Sequence, residues 1–371
     1  MIRYQPDTGA AGLVALEPNT PPYRHHAHCT LVQSAASHSM RRVKCTARKV
    51  RLCDLSVLCS ILIASIVGLK CSLLKCINFV HERCSSDERI HVAFSSSSSK
   101  DQLKALCTAM NSLIAHLQKP ETVTVHVFTS HSNLQGVLNI LDCYFPVDSR
   151  RAIIDVIGVE ESAQHHSFKV RSQNDGRLAN AFNFIRFRFD DLLPGVRKLL
   201  YLDTDVIVLD DVADLFHNNL CGKTKKFISV APRAQTMNRM LNFSHPIIKK
   251  TEIQPDQTTF NAGVMLLQLE NWRTHHIGSI LMFWQELNDA TALYSHGTQP
   301  PLLLTFHHLD VRDTFDPTWN VDGLGWRSLS KSELENAKLL HWTGPRKPWL
   351  KSGRYVQYWQ KFYRSECHSS V

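Results

Sequence analysis

The chain has 371 residues, 43% of them hydrophobic, with 42 Lys and Arg against 33 Asp and Glu. That length allows one large domain or two ordinary ones, and that apolar fraction supports a sizeable buried core, which excludes a wholly disordered chain. The net charge of +9 is modest and unevenly placed: Arg41, Arg42, Lys44, Arg48, Lys49 and Arg51 fall in one stretch, and the apolar run after it argues against a nucleic-acid arm.

Residues 1–51 carry Pro6, Pro18, Pro21, Pro22, His25, His26 and His28 with little periodicity, which predicts a disordered cytosolic tail. Met40 directly precedes the basic cluster and offers an alternative start. Residues 52–69 read LCDLSVLCSILIASIVGL, with Asp54 the one charge, a length that matches the roughly 18–20 residues needed to cross a bilayer. The cations before it orient the span with the N-terminus cytosolic and the rest lumenal, a single-pass type II arrangement. A signal peptide fits less well, because a long segment precedes the span and no small-residue cleavage site follows. Residues 70–89 read as a stem. Of the 11 Cys, four lie in or beside the span and the others are scattered without a CxxC pair, so a zinc site is not expected and no disulfide pairing can be assigned. Asn242-Phe243-Ser244 is a glycosylation sequon, meaningful in a lumenal domain.

From residue 90 the pattern becomes regular. Residues 90–94 predict a short strand, and Leu103, Leu106, Cys107, Met110, Leu113, Ile114 and Leu117 follow helical spacing. Residues 123–128, 152–157, 198–202, 227–231 and 264–267 predict further strands, and 179–187 and 272–287 predict helices. Strands alternating with helices predict an α/β domain over 90–365, a mostly parallel sheet covered on both faces. Such sheets bind ligands at the carboxyl ends of their strands.

Three constellations carry chemistry. The apolar run 198–202 leads into Asp203-Thr204-Asp205, two carboxylates at a strand end whose charge needs compensation. Hard carboxylate oxygens suit Mg²⁺ or Mn²⁺, which can bridge a diphosphate. The second, His341-Trp342-Thr343-Gly344-Pro345-Arg346-Lys347-Pro348-Trp349, offers an imidazole for Mn²⁺, a Gly344 that lets backbone approach a ligand, and a compact Lys347 charge suited to phosphate. In the third, Phe260-Asn261-Ala262-Gly263-Val264, small and polar residues open an apolar strand; Asn261 suits sugar hydroxyls, although Asn before a strand is more often turn chemistry.

In this order the three resemble the signature of glycosyltransferase family 8, and most of all its animal "glycosyltransferase 8 domain-containing" members, over about residues 90–362. Asn183-Phe184-Ile185-Arg186 is similar to the arginine-bearing helix before the metal motif, Asp316-Pro317-Thr318-Trp319-Asn320 to a recurring turn, and His341–Trp349 to the family's H-x-x-G-x-x-K-P-W run. The resemblance implies a GT-A fold, a Rossmann-like sheet that binds a UDP-sugar and transfers a hexose-type sugar with retention to a glycan, glycoprotein or other hydroxyl acceptor, in the Golgi or another secretory membrane. It implies that Asp203, Asp205 and His341 hold Mn²⁺ (or Mg²⁺), that Gly344 and Lys347 meet the diphosphate, and that Arg186, Thr204, Asn261, Ala262 and Gly263 line the donor site. The resemblance also places Gln299 at the catalytic position near the reacting carbon. Two positions depart from the family pattern: Thr298 stands where many members carry Asp, and Ser95–Ser99 where an acidic residue usually meets uridine. They motivate an alternative, a catalytically weak or inactive member that binds sugar nucleotides or glycans. A haloacid-dehalogenase-type phosphatase also starts from Asp-x-Asp, but needs it near the start of the domain and a later acidic pair, and neither is present.

Overall fold

The computed structural model describes residues 88–368 apart from 98, 160–180, 221–224, 296 and 309–310, together with residues 3–4. The expected span at 52–69, and almost all of the tail and stem, lie outside the described residues, among which no helix is long and apolar enough to cross a membrane. The strands are β1 (Arg3–Tyr4), β2 (Ile90–Ser95), β3 (Val123–Ser130), β4 (Ile153–Val159), β5 (Lys198–Leu202), β6 (Val206–Val208), β7 (Ile228–Thr236), β8 (Thr258–Gln268), β9 (Arg312–Thr314), β10 (Val321–Asp322) and β11 (Leu339–His341). Eight of them form one sheet in the order β1-β4-β3-β2-β5-β8-β7-β9, and three form a second in the order β10-β11-β6. In the large sheet β4, β3, β2 and β5 are mutually parallel, β8 runs against β5 and β7, and the two-residue β1 runs against β4. This is the mixed, mostly parallel sheet expected from the alternation of elements.

Chain order explains where the cleft lies. The chain steps outward from β2 to β3 and β4, then returns to place β5 on the other side of β2. Strand ends diverge at such a switch point and leave a crevice. The helix α1 (Lys100–His116) starts beside it because the Ser99 hydroxyl accepts the Gln102 amide at 3.3 Å. Leu103, Leu106, Met110, Leu113 and Ile114 then bury one stripe of α1 against Val92 and Phe94 of β2.

Several boundaries differ from the sequence expectation. The segment read as an α-helix at 179–187 is a 3₁₀ helix, Ala181–Arg188. Phe184, Ile185, Arg186 and Phe187 are all buried, so no solvent face remains for an amphipathic α-helix. The single helix read at 272–287 is two, α3 (Leu269–Thr274) and α4 (Ile277–Thr291), separated by His276 in the left-handed region at φ 52°. Trp272 and Ile277 are both fully buried. On a continuous helix they would point about 140° apart, and the break turns both inward. The next helix, α5 (Gln299–His308), opens on Gln299. Cys143 at the end of α2 (Leu134–Tyr144) is bonded to Cys367 near the C-terminus, a pairing that spacing could not supply.

Candidate active site

The acidic motif is the place where the chain leaves one sheet for the other. Leu202 ends β5 in the large sheet and Val206 begins β6 in the small one. Each carboxylate is anchored by its own backbone to a different sheet: the Asp203 amide donates to the Gly263 carbonyl of β8 at 2.7 Å, and the Asp205 carbonyl accepts the Trp342 amide at 2.9 Å. His341 comes in on β11, which pairs antiparallel with β6 so that His341 lies opposite Val206. Its Nε2 stands 3.2 Å from Asp205 Oδ1 and 3.9 Å from Asp203 Oδ2. Ligand atoms of the three residues lie within 4.8 Å of one another. The sequence expectation that this triad converges is met.

Neighbouring groups fix the ligands. His341 is 1% exposed, and its Nδ1 sits 2.9 Å from Asn320 Oδ1. An Nδ1–H donated to that amide oxygen leaves the Nε2 lone pair facing the carboxylates. Asn320 in turn donates to Asn261 Oδ1 at 3.3 Å, and Asn261 donates to Asp322 Oδ2, also at 3.3 Å. Asp203 Oδ1 accepts Arg186 Nη2 at 2.9 Å and the Tyr201 hydroxyl at 2.6 Å. Arg186 also donates to the Ala262 and Asn183 carbonyls and lies over the Tyr201 ring at 4.5 Å. Lys347 ion-pairs with Asp205 Oδ2 and donates to the Trp342 carbonyl at 2.7 Å. Burial pushes the Asp205 carboxyl up, but the Lys347 ammonium and the His341 imidazole outweigh it and hold the group well below the usual carboxylate range.

Three residues expected in the donor site line the cleft and also make contacts within the protein. Arg186 donates to Asp203, Tyr201 and backbone, so it positions one carboxylate of the triad. Gln299 Nε2 donates to the Phe260 carbonyl at 2.8 Å and its Oε1 lies 3.5 Å from the Ala262 amide, which clasps the strand that carries Gly263. The Thr204 hydroxyl turns to Gln102 of α1 at 3.2 Å. Asn261, Ala262 and Gly263 do not open a strand at 264; they lie inside the longer β8. Tyr201, Asn320 and Asp322 were not singled out by role. Tyr201 was signalled by its place two residues before Asp203 and Asn320 by closing the Asp316–Asn320 turn, whereas Asp322 had no local signal.

The donor set and the space around it fit a divalent cation. Two carboxylates and one imidazole suit a hard-to-intermediate ion. A Cβ added at Gly263 would lie 2.2 Å from His341 Cε1 and 2.7 Å from Asp203 Oδ2, so a side chain there would fill the gap between two ligands. Gly344 has φ +105°, which favours glycine in the turn between His341 and Lys347. All of these residues line one cleft of about 1230 Å³.

A mixed α/β sheet with an acidic strand-end motif and a histidine meeting in one cleft is a GT-A-like arrangement. The galactosyltransferase LgtC, solved with donor and acceptor sugar analogs, superposes with a TM-score of 0.54 over 76% of this chain and 96% of its own, at 18% identity. The bifunctional glycosyltransferase WbbM superposes with a TM-score of 0.54 over 77% of this chain and 50% of its own, at 15% identity. The model of Glycosyl transferase family 8 matches residues 91–353, and the chain belongs to that family. Mouse "Glycosyltransferase 8 domain-containing protein 1" is 28% identical over 315 residues, 78% of this chain and 82% of its own. The Arabidopsis thaliana "Probable galacturonosyltransferase 9" is 28% identical over 299 residues, 72% of this chain and 52% of its own, so the chain spans about half the length of that plant relative.

Proposed function

We propose that the chain is a retaining glycosyltransferase that moves a hexose-type sugar from a UDP-sugar to an acceptor hydroxyl in the secretory pathway, with Mn²⁺ or Mg²⁺ held by Asp203, Asp205 and His341. The observation that carries this reading is the convergence of those three side chains on the notch at Gly263. A divalent ion bound there supplies neutralisation of diphosphate charge as the bond to the sugar breaks. The chain's own residues do the rest. Arg186 and Tyr201 hold Asp203 with one oxygen turned toward His341, and Asn320 holds the imidazole. Lys347 sits beside Asp205 on the Gly344 turn, where its ammonium can meet phosphate charge. Release of UDP from a panel of UDP-sugars, with and without Mn²⁺, is the direct test. Metal-stimulated release from at least one donor is expected. Binding of UDP without release from any donor would favour the inactive sugar-nucleotide-binding reading, which Thr298 motivates.

Lys347→Ala is expected to weaken UDP affinity and turnover together while the domain stays folded. Lys347→Arg should rescue only partly, because a planar fork does not replace a compact ammonium. Unchanged UDP affinity in the alanine variant, measured by calorimetry, would remove Lys347 from the site.

A lumenal domain is supported by two features. Asn242 of the sequon is exposed. The Cys143–Cys367 disulfide suits an oxidising compartment. Glycosidase treatment should therefore shift the protein's mass, and Asn242→Gln should abolish the shift. The Arg3–Tyr4 pairing with β4 and a membrane between tail and domain exclude one another. Protease protection in sealed microsomes decides between them, and digestion of the domain there would sink the lumenal placement.

A further inference from the structure

One large aromatic side chain on the cleft has no role in the metal site. Trp326 is 62% exposed, the most open of the exposed large hydrophobic residues described, yet it lines the same cleft as the triad. A single exposed apolar residue is ordinary on a mobile surface turn. This turn is instead held at several points. The Trp326 amide donates to the Gly323 carbonyl at 2.8 Å. Its own carbonyl accepts Arg346 Nη2 at 2.8 Å and Arg354 Nη1 at 3.4 Å. The Gly325 amide donates to the Thr343 carbonyl at 3.0 Å. A Cβ on Gly344 would lie 2.3 Å from Trp326 Cδ1, so the edge of the indole rests directly on the backbone of the Gly344 turn. The ring is thus fixed from below and open above.

We propose that Trp326 is the stacking platform of an acceptor subsite that receives the pyranose ring of a glycan. The proposal rests on the glycosyltransferase reading of the same cleft. A pyranose has an apolar C–H face and a rim of hydroxyls, and an indole fixed at a wet cleft mouth matches the first while leaving the second free to hydrogen-bond. The second is met on the same turn. Asp322, four residues before the ring, ion-pairs through Oδ2 with Arg233 Nε at 2.9 Å and accepts Asn261 Nδ2 on the same oxygen at 3.3 Å. Arg233 and Asp322 both line the cleft, so their charged groups face the same space as the ring.

Placement favours the acceptor over the nucleotide. The crevice at the switch point lies between β2 and β5, where Ser95 and Thr204 line the cleft. Arg233 is on β7, two strands beyond β5, or about 10 Å at the usual strand spacing. Its ion pair with Asp322 ties β10, which leads into the turn of Trp326, to that far side, so the ring lies between the Gly344 turn and the far edge of the cleft.

The test uses the full-length chain purified in detergent, with Mn²⁺ and UDP present, on an array of immobilised oligosaccharides. The wild type is expected to bind a defined subset of glycans, Trp326→Ala to lose affinity for them by about tenfold or more, and Trp326→Phe to keep most of it. Trp326→Phe binding as poorly as Trp326→Ala would overturn the stacking role. Equal binding by wild type and Trp326→Ala, no glycan bound by the wild type, or binding confined to aromatic or lipid probes would each overturn the proposal. Thermal unfolding of the variants separates loss of the platform from loss of the fold. Hydrolysis of UDP-sugars by the wild type, measured in parallel, reports on the donor reading alone. If hydrolysis is absent while glycan binding still depends on Trp326, the transferase reading fails and the platform stands.

Discussion

Asp205→Asn is expected to lower Mn²⁺-stimulated UDP release by at least about 10²-fold, the effect of losing some 2.7 kcal/mol of transition-state stabilisation. The substitution keeps shape and removes one anionic oxygen ligand from a set of three. It is also the milder change for the fold, since the released Lys347 keeps its bond to the Trp342 carbonyl and its side chain, 16% exposed, is more open than that of Arg186 at 6%. Asp203→Asn should be as damaging to activity but less innocent for stability. Removal of one carboxylate would relieve repulsion if the pair were bare, but each has its own cation. Asp203 neutralises Arg186, which is 5% exposed, and breaking a buried ion pair from one side typically costs about 3–5 kcal/mol. Asp205→Asn is therefore the cleaner variant. Retention of metal-stimulated release in it, with the ion still bound by calorimetry, would remove Asp205 from the ligand set.

Gly263→Ala is expected to abolish metal binding through a single methyl group. Gly263 lies inside β8, and its backbone needs no special conformation. The requirement is one of space: the new Cβ would stand 2.2 Å from His341 Cε1 and 2.8 Å from Nε2. The imidazole cannot withdraw, because it is buried and bonded to Asn320, and β8 is held by β5 on one side and β7 on the other. Overpacking of this kind costs about 1–3 kcal/mol of stability, a measurable but survivable loss. Mn²⁺ affinity, followed by electron paramagnetic resonance, should fall by at least about 10²-fold and UDP release with it. An alanine variant that binds Mn²⁺ normally would show that the ion does not occupy the gap between Asp203 and His341.

Much of the scaffold was legible because its strands are apolar runs of ordinary length. The residues 90–94, 123–128, 152–157 and 198–202 each fall on an observed strand to within one or two residues at most edges. The misreadings cluster where side chains serve the cleft. Asn261, Ala262 and Gly263 look like turn residues because the strand must be small and polar where it faces the ligands. Arg186 and Gln299 were placed in the site and both line the cleft; the folded chain adds that one positions a carboxylate and the other binds β8 backbone. A sequence motif reports that a residue is near, while hydrogen-bond partners decide what it does there. Arg233 and Asp322, 89 positions apart in the numbering of the chain, carry no short-range signal at all, since only the folding of β10 toward β7 brings them to 2.9 Å.

The Cys143–Cys367 bond spans 224 positions, and Arg186, Asp203, Asp205, Gly263, His341 and Lys347 all lie within the covalent ring it closes. Chain-entropy arguments give a ring of that size on the order of 5 kcal/mol of stabilisation, gained by restricting the unfolded chain. A backbone cut inside the ring leaves the two pieces tethered, so nicked protein runs as one species until reduced. Material produced in a reducing cytosol lacks the tether and competes against a far larger unfolded ensemble. Poor yield from such a host therefore reports on the thiols, and the activity assays call for an oxidising one.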